Sequence, residues 1–420
     1  MSADTSSQPS IAPDTARDWT YRTAQTKPLT HGIHPYPAMM IPQIAQRLVR
    51  SYGGEGAALF DPYCGSGTTL LEGIVAGMRA AGTDLNPLAR LIARVKTTPV
   101  CTAALDDEIT RFSRLPMTAQ PDRPIPDVDN SDYWFSAQAQ RALAAIRQHI
   151  DSIANPAVAD VFRVAFSQTV RKVSWTRKSE FKLYRMSPRQ MDKHDPQPRP
   201  FMVQKLSEIR RALQVLGRLT PAKHAPPFVY DFNTVEGIPA QVIAPASVDL
   251  VITSPPYGDS RTTVAYGQFC RLSSQWLGYA NAGRLDSMLM GGGRIAQLPT
   301  FGFPKLDRVI AKIAAIDERR ACEVASFFAD YRASIRHVAA VVKPQGHACY
   351  VVGNRTVKGQ KVPTAEATAW FFGENNFKTV EIGNRQIPNK RMPAVNSPSN
   401  IRGEVGQTMT TEQIVICQKA

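Results

Sequence analysis

The sequence lacks the features that mark several common protein classes. No apolar run approaches membrane-spanning length, and residues 1–20 are polar, without the apolar core of a secretory signal peptide. The six cysteines are dispersed, with no Cys-x-x-Cys pair and no Cys/His spacing typical of zinc. We therefore expect a flexible N-terminal tail over residues 1–20, reduced thiols in a cytoplasmic protein, no membrane segment and no metal site.

Charge is the strongest compositional signal that is present. The chain has 420 residues with 43% hydrophobic and 20% charged side chains, which is typical of a folded protein with two or three domains' worth of core. Lys and Arg number 50 against 35 Asp and Glu, giving a net charge of +15. This excess favours a polyanionic partner, nucleic acid first, although a ribosomal or membrane-surface protein would share it.

The first hundred residues alternate between strand and helix patterns. A short apolar strand runs into a glycine-containing segment, residues 61–69, which we call the glycine turn; a helix and a second strand ending at Asp84 follow. Gly65 and Gly67 would let backbone approach a ligand, and Asp84 is placed to bind two ribose hydroxyls. The pattern predicts a doubly wound α/β sheet with an adenosine-containing cofactor, whereas a turn role for Asp61 and a helix-cap role for Asp84 are the structural alternatives. No Gly-Lys-Ser/Thr follows, so this is not a P-loop.

A second strand exit stands out later in the chain. The apolar run at residues 248–252 leads into Thr253-Ser254-Pro255-Pro256-Tyr257, which we call the proline turn. Its prolines fix φ and remove two backbone donors, which leaves rigid acceptors next to an aromatic ring. Such a cluster suits the planar amino group of a nucleobase; an ordinary strand exit with a packed tyrosine is the alternative.

Residues 101–225 interrupt the strand–helix alternation with mainly helical sequence. Between two of its predicted helices, basic residues are interleaved with aromatic ones. Such a stretch suits phosphate contacts and base stacking, although a charge run is commonly a solvated face. The residues that we expect to contact DNA here are Arg171, Lys172, Trp175, Arg177, Lys178, Lys182 and Arg185.

Four motifs together resemble the amino-group DNA methyltransferases. Residues 60–68 resemble their cofactor motif, and residues 253–257 resemble their catalytic motif. His34-Pro35-Tyr36-Pro37-Ala38 resembles the motif that holds the methionine end of S-adenosylmethionine, and Asn389-Lys390-Arg391-Met392-Pro393 resembles a late motif. The resemblance implies a Rossmann-like methyltransferase sheet in two parts, residues 21–100 and 226–420, with residues 101–225 as an inserted helical DNA-recognition region.

The resemblance also implies roles for individual residues. The expected catalytic residues are Ser254, Pro255, Pro256 and Tyr257. The expected cofactor-binding residues are His34, Pro35, Phe60, Asp61, Pro62, Cys64, Gly65, Gly67, Thr68, Thr69, Asp84, Leu85 and Asp231. Asn389, Lys390 and Arg391 join the expected DNA contacts.

Ser254 is the residue that bears on the choice of base. Serine before Pro-Pro resembles the N4-cytosine subgroup, whereas N6-adenine enzymes more often carry Asp or Asn. Three alternatives stay open: an N6-adenine DNA methyltransferase, an RNA amino-methyltransferase, and a non-catalytic nucleic-acid-binding protein with a degenerate fold. No Pro-Cys occurs, which argues against C5-cytosine chemistry.

The implied reaction is methylation of a flipped-out cytosine in double-stranded DNA. Ser254 Oγ and the Pro255 carbonyl would accept hydrogen bonds from the N4 amino group, and Tyr257 would stack on the base. The resemblance further implies a restriction-modification system with a separately acting cognate endonuclease, in a cytoplasmic, nucleoid-associated setting.

Overall fold

The structure is a computed structural model that describes residues 18–114, 126–178, 181–220, 226–258, 264–293, 295–387, 395–396, 406–407 and 409–420. Within these ranges, no helix is both long and apolar enough to cross a membrane.

A single large sheet organises the molecule. The strands are β1 (Ala58–Asp61), β2 (Arg79–Thr83), β3 (Phe228–Tyr230), β4 (Val248–Thr253), β5 (Val342–Val352), β6 (Thr356–Val357), β7 (Gln360–Lys361), β8 (Phe377–Gln386), β9 (Val395–Asn396), β10 (Gly406–Gln407) and β11 (Thr411–Lys419). Seven of them form one sheet in the order β3-β2-β1-β4-β5-β11-β8. The pairings of β1 with β2, β2 with β3, β1 with β4, and β4 with β5 are all parallel. Strand β11 lies antiparallel to both β5 and β8. The doubly wound α/β fold expected from the sequence is confirmed.

Helices cover both faces of this sheet. They are α1 (Pro42–Tyr52), α2 (Thr68–Val75), α3 (Pro87–Thr97), α4 (Thr102–Ser113), α5 (Ser131–Trp134), α6 (Ala137–Asp151), α7 (Pro156–Val173), α8 (Pro188–Asp192), α9 (Pro198–Leu219), α10 (Tyr266–Trp276), α11 (Leu285–Met288), α12 (Pro304–Ala314), α13 (Glu318–Val341) and α14 (Thr364–Gly373).

Alternation along the strands divides the core into two layers. Leu59 and Ile252 face one layer, and Phe60 and Val251 face the other, because neighbouring strand residues point to opposite sides of the sheet. The first layer continues without a break into α7 and α9, so the helices of the inserted region share a core with the sheet. Trp19, which the sequence analysis assigned to the tail, is buried, and its indole donates to Glu381 on β8.

The strand order reverses between β1 and β4, and this places the two turns together. The chain winds from β1 toward β3 in one direction and from β4 toward β5 in the other. Phe60 is in register with Val251, so the two strands end side by side. In such sheets a ligand crevice opens beyond the carboxyl ends of the strands at the reversal point. The glycine turn and the proline turn both begin there.

Candidate active site

The glycine turn combines a left-handed backbone with close packing. Gly65 and Gly67 have φ values of +49° and +79°, which glycine adopts without strain. A Cβ on Gly67 would lie 2.9 Å from the Cβ of Ala93, so Gly67 is required for packing of the turn against α3. A Cβ on Gly65 would meet only Tyr36, at 3.8 Å. Gly65 is therefore the glycine whose missing side chain leaves room for a ligand.

Asp84 is tied to the glycine turn by its carboxylate. The backbone N–H of Gly65 donates to Asp84 Oδ2 at 2.9 Å, and that of Asn86 donates to Oδ1 at 2.8 Å. Desolvation raises the pKa of Asp84, and these two hydrogen bonds oppose that rise. Asn86 caps α3 through Leu88 N and donates to the Tyr36 hydroxyl at 3.0 Å. The acid after β2 is thus held beside the turn after β1.

Asp61 joins the glycine turn to the proline turn. The Thr253 hydroxyl donates to Asp61 Oδ1 at 2.6 Å, and the backbone N–H of Tyr63 donates to the same oxygen at 3.1 Å. Burial raises the pKa of Asp61 to about 6, against the lowering effect of these hydrogen bonds. The last residues of β1 and β4 are therefore linked directly by side chains.

The proline turn is held by its own residues and by β11. Ser254 Oγ lies 3.1 Å from the Tyr257 hydroxyl, which donates to Glu412 Oε1 at 2.9 Å. Glu412 in turn forms an ion pair with Arg385 of β8. Burial, together with the neighbouring Glu412 carboxylate, raises the pKa of Tyr257 far above its usual range, so its hydroxyl stays protonated.

A cleft opens between the two turns. Its walls come from the ends of β1, β2, β3 and β4 and from the segments before α1 and after α11. The lining residues are Tyr36, Pro37, Ala38, Met39, Met40, Asp61, Pro62, Tyr63, Cys64, Gly65, Ser66, Thr68, Thr69, Asp84, Leu85, Asn86, Phe232, Asn233, Thr234, Val235, Ser254, Pro256, Tyr266, Leu289 and Met290.

Most of the expected cofactor-binding residues meet in this cleft, together with two of the expected catalytic residues. Those that line it are Asp61, Pro62, Cys64, Gly65, Thr68, Thr69, Asp84, Leu85, Ser254 and Pro256. Burial raises the pKa of Cys64, which keeps this thiol neutral and argues for a packing role. Pro255 lies between the lining residues Ser254 and Pro256, and Tyr257 follows them. Gly67 is not part of the lining and packs against Ala93 of α3.

Besides Gly67, four expected cofactor residues lie outside the cleft lining. His34 is buried against α7, with Nε2 3.0 Å from Ser167 Oγ, and burial lowers its pKa to about 3. Pro35 is exposed, and Phe60 faces the core, where it stacks near Phe232. The Asp231 carboxylate is 78% exposed and lies 3.7 Å from Arg90.

Residues next to these four take their place in the cleft. Tyr36 stands where His34 and Pro35 were expected, and it stacks on Tyr266 with ring centres 5.9 Å apart. Phe232 and Asn233 line the cleft where Asp231 was expected. Tyr36 belongs to a motif that the sequence analysis had identified, so a signal existed for it; Tyr266 and Glu412 had none.

Residues 175–178 and 181–186 of the basic segment form the two sides of a hairpin-like loop, which we call the basic hairpin. Arg177 N donates to Tyr184 O and Met186 N donates to Trp175 O, each at 2.8 Å. Arg177 and Lys182 are exposed, as are Phe181 and Tyr184. The structure does not describe residues 179–180 of this loop.

The basic hairpin packs next to the cleft. Leu183 N donates to Gln268 Oε1 at 3.3 Å, and Phe181 contacts Phe269 with ring centres 6.1 Å apart. Both partners lie on the first turn of α10, which begins at the cleft residue Tyr266. The hairpin therefore stands at the rim of the site.

The expected DNA-binding residues differ in how their charges are engaged. Arg171 donates to the Phe269 carbonyl at 3.0 Å and stacks on that ring, and the Lys178 ammonium donates to the Ser174 carbonyl at 2.8 Å. The Arg185 guanidinium lies 4.2 Å from the ring centre of Tyr133 and 5.3 Å from that of Trp175, and Lys172 is exposed near Phe201. Asn389, Lys390 and Arg391 lie outside the described residues.

The cleft fits an adenosine cofactor by its own features. It offers a carboxylate at the end of β2, an open face at Gly65 and aromatic walls. In the part of the chain that the structure describes, no group of three or more His, Cys, Asp or Glu side chains could hold a metal ion.

Comparison with known proteins gives the family. No family model matches the chain. The type II methyltransferase M.MvaI of Kocuria varians is 36% identical over 430 aligned residues, which cover 94% of this chain and 92% of that one. The type II methyltransferase M.MjaII of Methanocaldococcus jannaschii is 41% identical over 66 residues, 16% of this chain and 12% of that one. Among solved structures, the rRNA methyltransferase aviRa from Streptomyces viridochromogenes is 13% identical over 91% of this chain and 86% of that one. Its TM-score is 0.31, which is too low to support a structural conclusion. The chain belongs to the type II methyltransferase family, and its cofactor is S-adenosylmethionine.

Proposed function

We propose that this protein is a site-specific DNA methyltransferase that methylates the N4 amino group of cytosine in double-stranded DNA. The observation that carries the proposal is the position of Ser254, a hydroxyl acceptor in a Ser-Pro-Pro-Tyr turn at the wall of the cofactor cleft. Membership in the type II methyltransferase family supports DNA as the substrate. A restriction-modification role with a separate endonuclease, in the cytoplasm at the nucleoid, completes the proposal.

We assign cofactor binding to the side of the cleft formed by the glycine turn. Asp84 would take the ribose hydroxyls, because its carboxylate is already fixed by Gly65 and Asn86. Tyr36 and the two residues after it would contact the methionine end. When bound, S-adenosylmethionine supplies a methyl group on a positively charged sulfonium.

The proline turn would make the amino group a nucleophile. The lone pair of an exocyclic amine on cytosine is delocalised into the ring. Hydrogen bonds accepted by Ser254 Oγ and the Pro255 carbonyl would localise that lone pair on nitrogen. The nitrogen would bond to the methyl group as that group leaves the sulfur, which would keep the bonding electron pair, and the nitrogen would release one proton to water. Positioning and electrostatics supply most of the rate, so no side chain needs to be a strong base.

We assign DNA binding to the basic hairpin. Its exposed cations Arg177 and Lys182 lie beside exposed aromatic rings at the rim of the site, which suits phosphate contacts next to a flipped base. Arg185 lies over the rings of Tyr133 and Trp175, and its guanidinium would add a further phosphate contact. Arg171 and Lys178 would support the hairpin from within, because carbonyl groups of the protein engage both cations.

Identification of the labelled nucleoside tests the proposal. The protein is incubated with methyl-labelled S-adenosylmethionine and either duplex DNA or RNA, and the products are digested to nucleosides for mass spectrometry. Label in N4-methylcytosine is the expected result. Label in N6-methyladenine would replace the base assignment, label only in RNA would replace the substrate, and no transfer would support a non-catalytic role. Ser247→Ala, a serine directly before β4, serves as the active control.

A further inference from the structure

A chain of hydrogen bonds runs from the proline turn to the far edge of the sheet. Ser254 Oγ lies 3.1 Å from the Tyr257 hydroxyl, and that hydroxyl lies 2.9 Å from Glu412 Oε1. Arg385 pairs with the other carboxylate oxygen, Oε2. Glu412 comes from β11 and Arg385 from β8, 155 and more than 100 residues beyond the turn. The cofactor cleft is lined by Ser254 but not by Tyr257, Glu412 or Arg385.

The direction of this chain follows from the number of protons available. An ionised carboxylate only accepts hydrogen bonds, and a tyrosine hydroxyl has one proton to give. Tyr257 gives that proton to Glu412. The remaining bond between Ser254 and Tyr257 must then use the serine proton, with the tyrosine oxygen as acceptor. Ser254 therefore points its proton away from the cleft and keeps its lone pairs available.

The surroundings hold the chain in this direction. The side chains of Glu412 and Arg385 are only 14% and 9% exposed, so the carboxylate is paired in a setting where an uncompensated charge would be costly. Arg385 cannot accept a hydrogen bond, which commits Oε2 to it and leaves Oε1 for Tyr257. Gly353 packs against the ring of Tyr257, where a Cβ would lie 2.8 Å from Cδ2.

We propose that Glu412 is a positioning residue that makes Ser254 an acceptor-only group for the target amine. Through Tyr257, it fixes the serine proton away from the cleft, so that Ser254 Oγ can receive an N–H but cannot donate to a carbonyl. This inference rests on the proposed function. It adds a basis for base selection. Cytosine carries an amino group where thymine and uracil carry a carbonyl, and adenine carries an amino group where guanine carries a carbonyl.

Replacing Glu412 by glutamine reverses the direction of the hydrogen bonds in this chain, while the side chain keeps its size and shape. In Glu412→Gln the amide oxygen turns to Arg385, which can only donate, so the amide N–H₂ faces Tyr257. The tyrosine oxygen then accepts from the amide, and its proton turns toward Ser254, occupying one of the lone pairs that the substrate needs. We expect the single-turnover rate of methyl transfer to fall about tenfold, the effect of one ordinary hydrogen bond.

Tyr257→Phe breaks the chain but keeps the aromatic ring. Ser254 can then rotate freely, and we expect a loss of only about threefold, which is less than one ordinary hydrogen bond. The double variant Tyr257→Phe/Glu412→Gln should transfer methyl at the rate of Tyr257→Phe alone, and so faster than Glu412→Gln. A purely structural role for Glu412 would persist in that background and give multiplied losses, which would overturn the proposal.

Controls separate this inference from the proposed function. Glu381→Gln makes the same change on β8, next to Trp19, and should leave the transfer rate unchanged. Cofactor affinity and melting temperature of every variant are measured in parallel. Cofactor affinity should stay near wild type, whereas both variants that carry Glu412→Gln should melt at a lower temperature, because the buried Arg385 loses its charge partner. Wild-type protein that fails to methylate DNA would defeat the proposed function, whereas active wild type with an unaffected Glu412→Gln variant would defeat this inference alone.

Discussion

The two turns at the centre of this protein leave adjacent parallel strands, yet they are stabilised in different ways. The glycine turn is held by residues close to it in sequence: Asp84 accepts from Gly65, 19 residues away, and Gly67 caps the helix that follows. The proline turn depends on Glu412, which is 155 residues distant from Tyr257. A local turn can be identified from a short motif, whereas a turn that depends on a distant strand cannot.

The two turns are also coupled. Thr253 at the end of β4 donates to Asp61 at the end of β1. We therefore expect substitutions in the proline turn to affect the rate of methyl transfer, and substitutions in the glycine turn to affect cofactor binding and folding. Asp61, which links the turns, should contribute a pH dependence.

Ser254→Ala should give the largest effect, because it removes the side-chain acceptor that we propose for the reacting amine. We expect the rate of methyl transfer to fall by about 10²–10³, the range seen when one transition-state hydrogen-bond partner is lost. Cofactor affinity, measured by calorimetry, should change by less than about twofold. A parallel loss of cofactor binding would show that the two turns do not divide these tasks.

Asp84→Asn should weaken cofactor binding by about 10- to 100-fold, because a charged acceptor is replaced by a neutral one. Calorimetric titration with S-adenosylmethionine measures this directly. Asp231→Asn is the matched comparison: its carboxylate is 78% exposed and paired with Arg90, so we expect almost no change. A large effect at Asp231 would restore it to the cofactor site.

Gly67→Ala and Gly65→Ala should separate folding from binding within one turn. The first places a Cβ 2.9 Å from Ala93 at a positive φ, and we expect it to lower the free energy of unfolding by about 2 kcal/mol. The second meets only Tyr36, at 3.8 Å, and should mainly reduce cofactor affinity, with a stability cost of about 1 kcal/mol. Urea unfolding with and without cofactor distinguishes the two, and an interchange of these phenotypes would contradict the packing argument.

Asp61→Asn should change the pH dependence of stability, with little effect on stability at acidic pH. Burial raises the pKa of Asp61 to about 6 from 3.8, so the folded state binds its proton more tightly than the unfolded chain. Its contribution is therefore destabilising above pH 6 and disappears as the pH falls toward 4. Compared with wild type, Asp61→Asn should be more stable at pH 8 by about 3 kcal/mol, and the difference should vanish near pH 4. A constant difference across this range would show that Asp61 is not the titrating group.

The motifs at 61–69 and 253–257 predicted the sheet and the cleft well because each sits at the end of a short apolar strand. Asp84 and Ser254 both line the cleft as placed by their motifs. His34 and Asp231 do not, since one side chain packs under α7 and the other points into solvent, a difference of direction that a motif does not specify. Arg171 shows the same limit, because a basic residue in a charge run can serve packing.

The sequence alone determined the order of strands, turns and helices in the α/β fold, together with the glycine turn and the acceptor-rich proline turn. These features depend on residues that are close together in the sequence. Only the tertiary structure decided which side chains enter the cleft and brought Glu412 and Arg385 behind Tyr257. Antiparallel β11 enters the sheet beside β5, and long-range pairing of this kind depends on the packing of the whole sheet rather than on any local pattern.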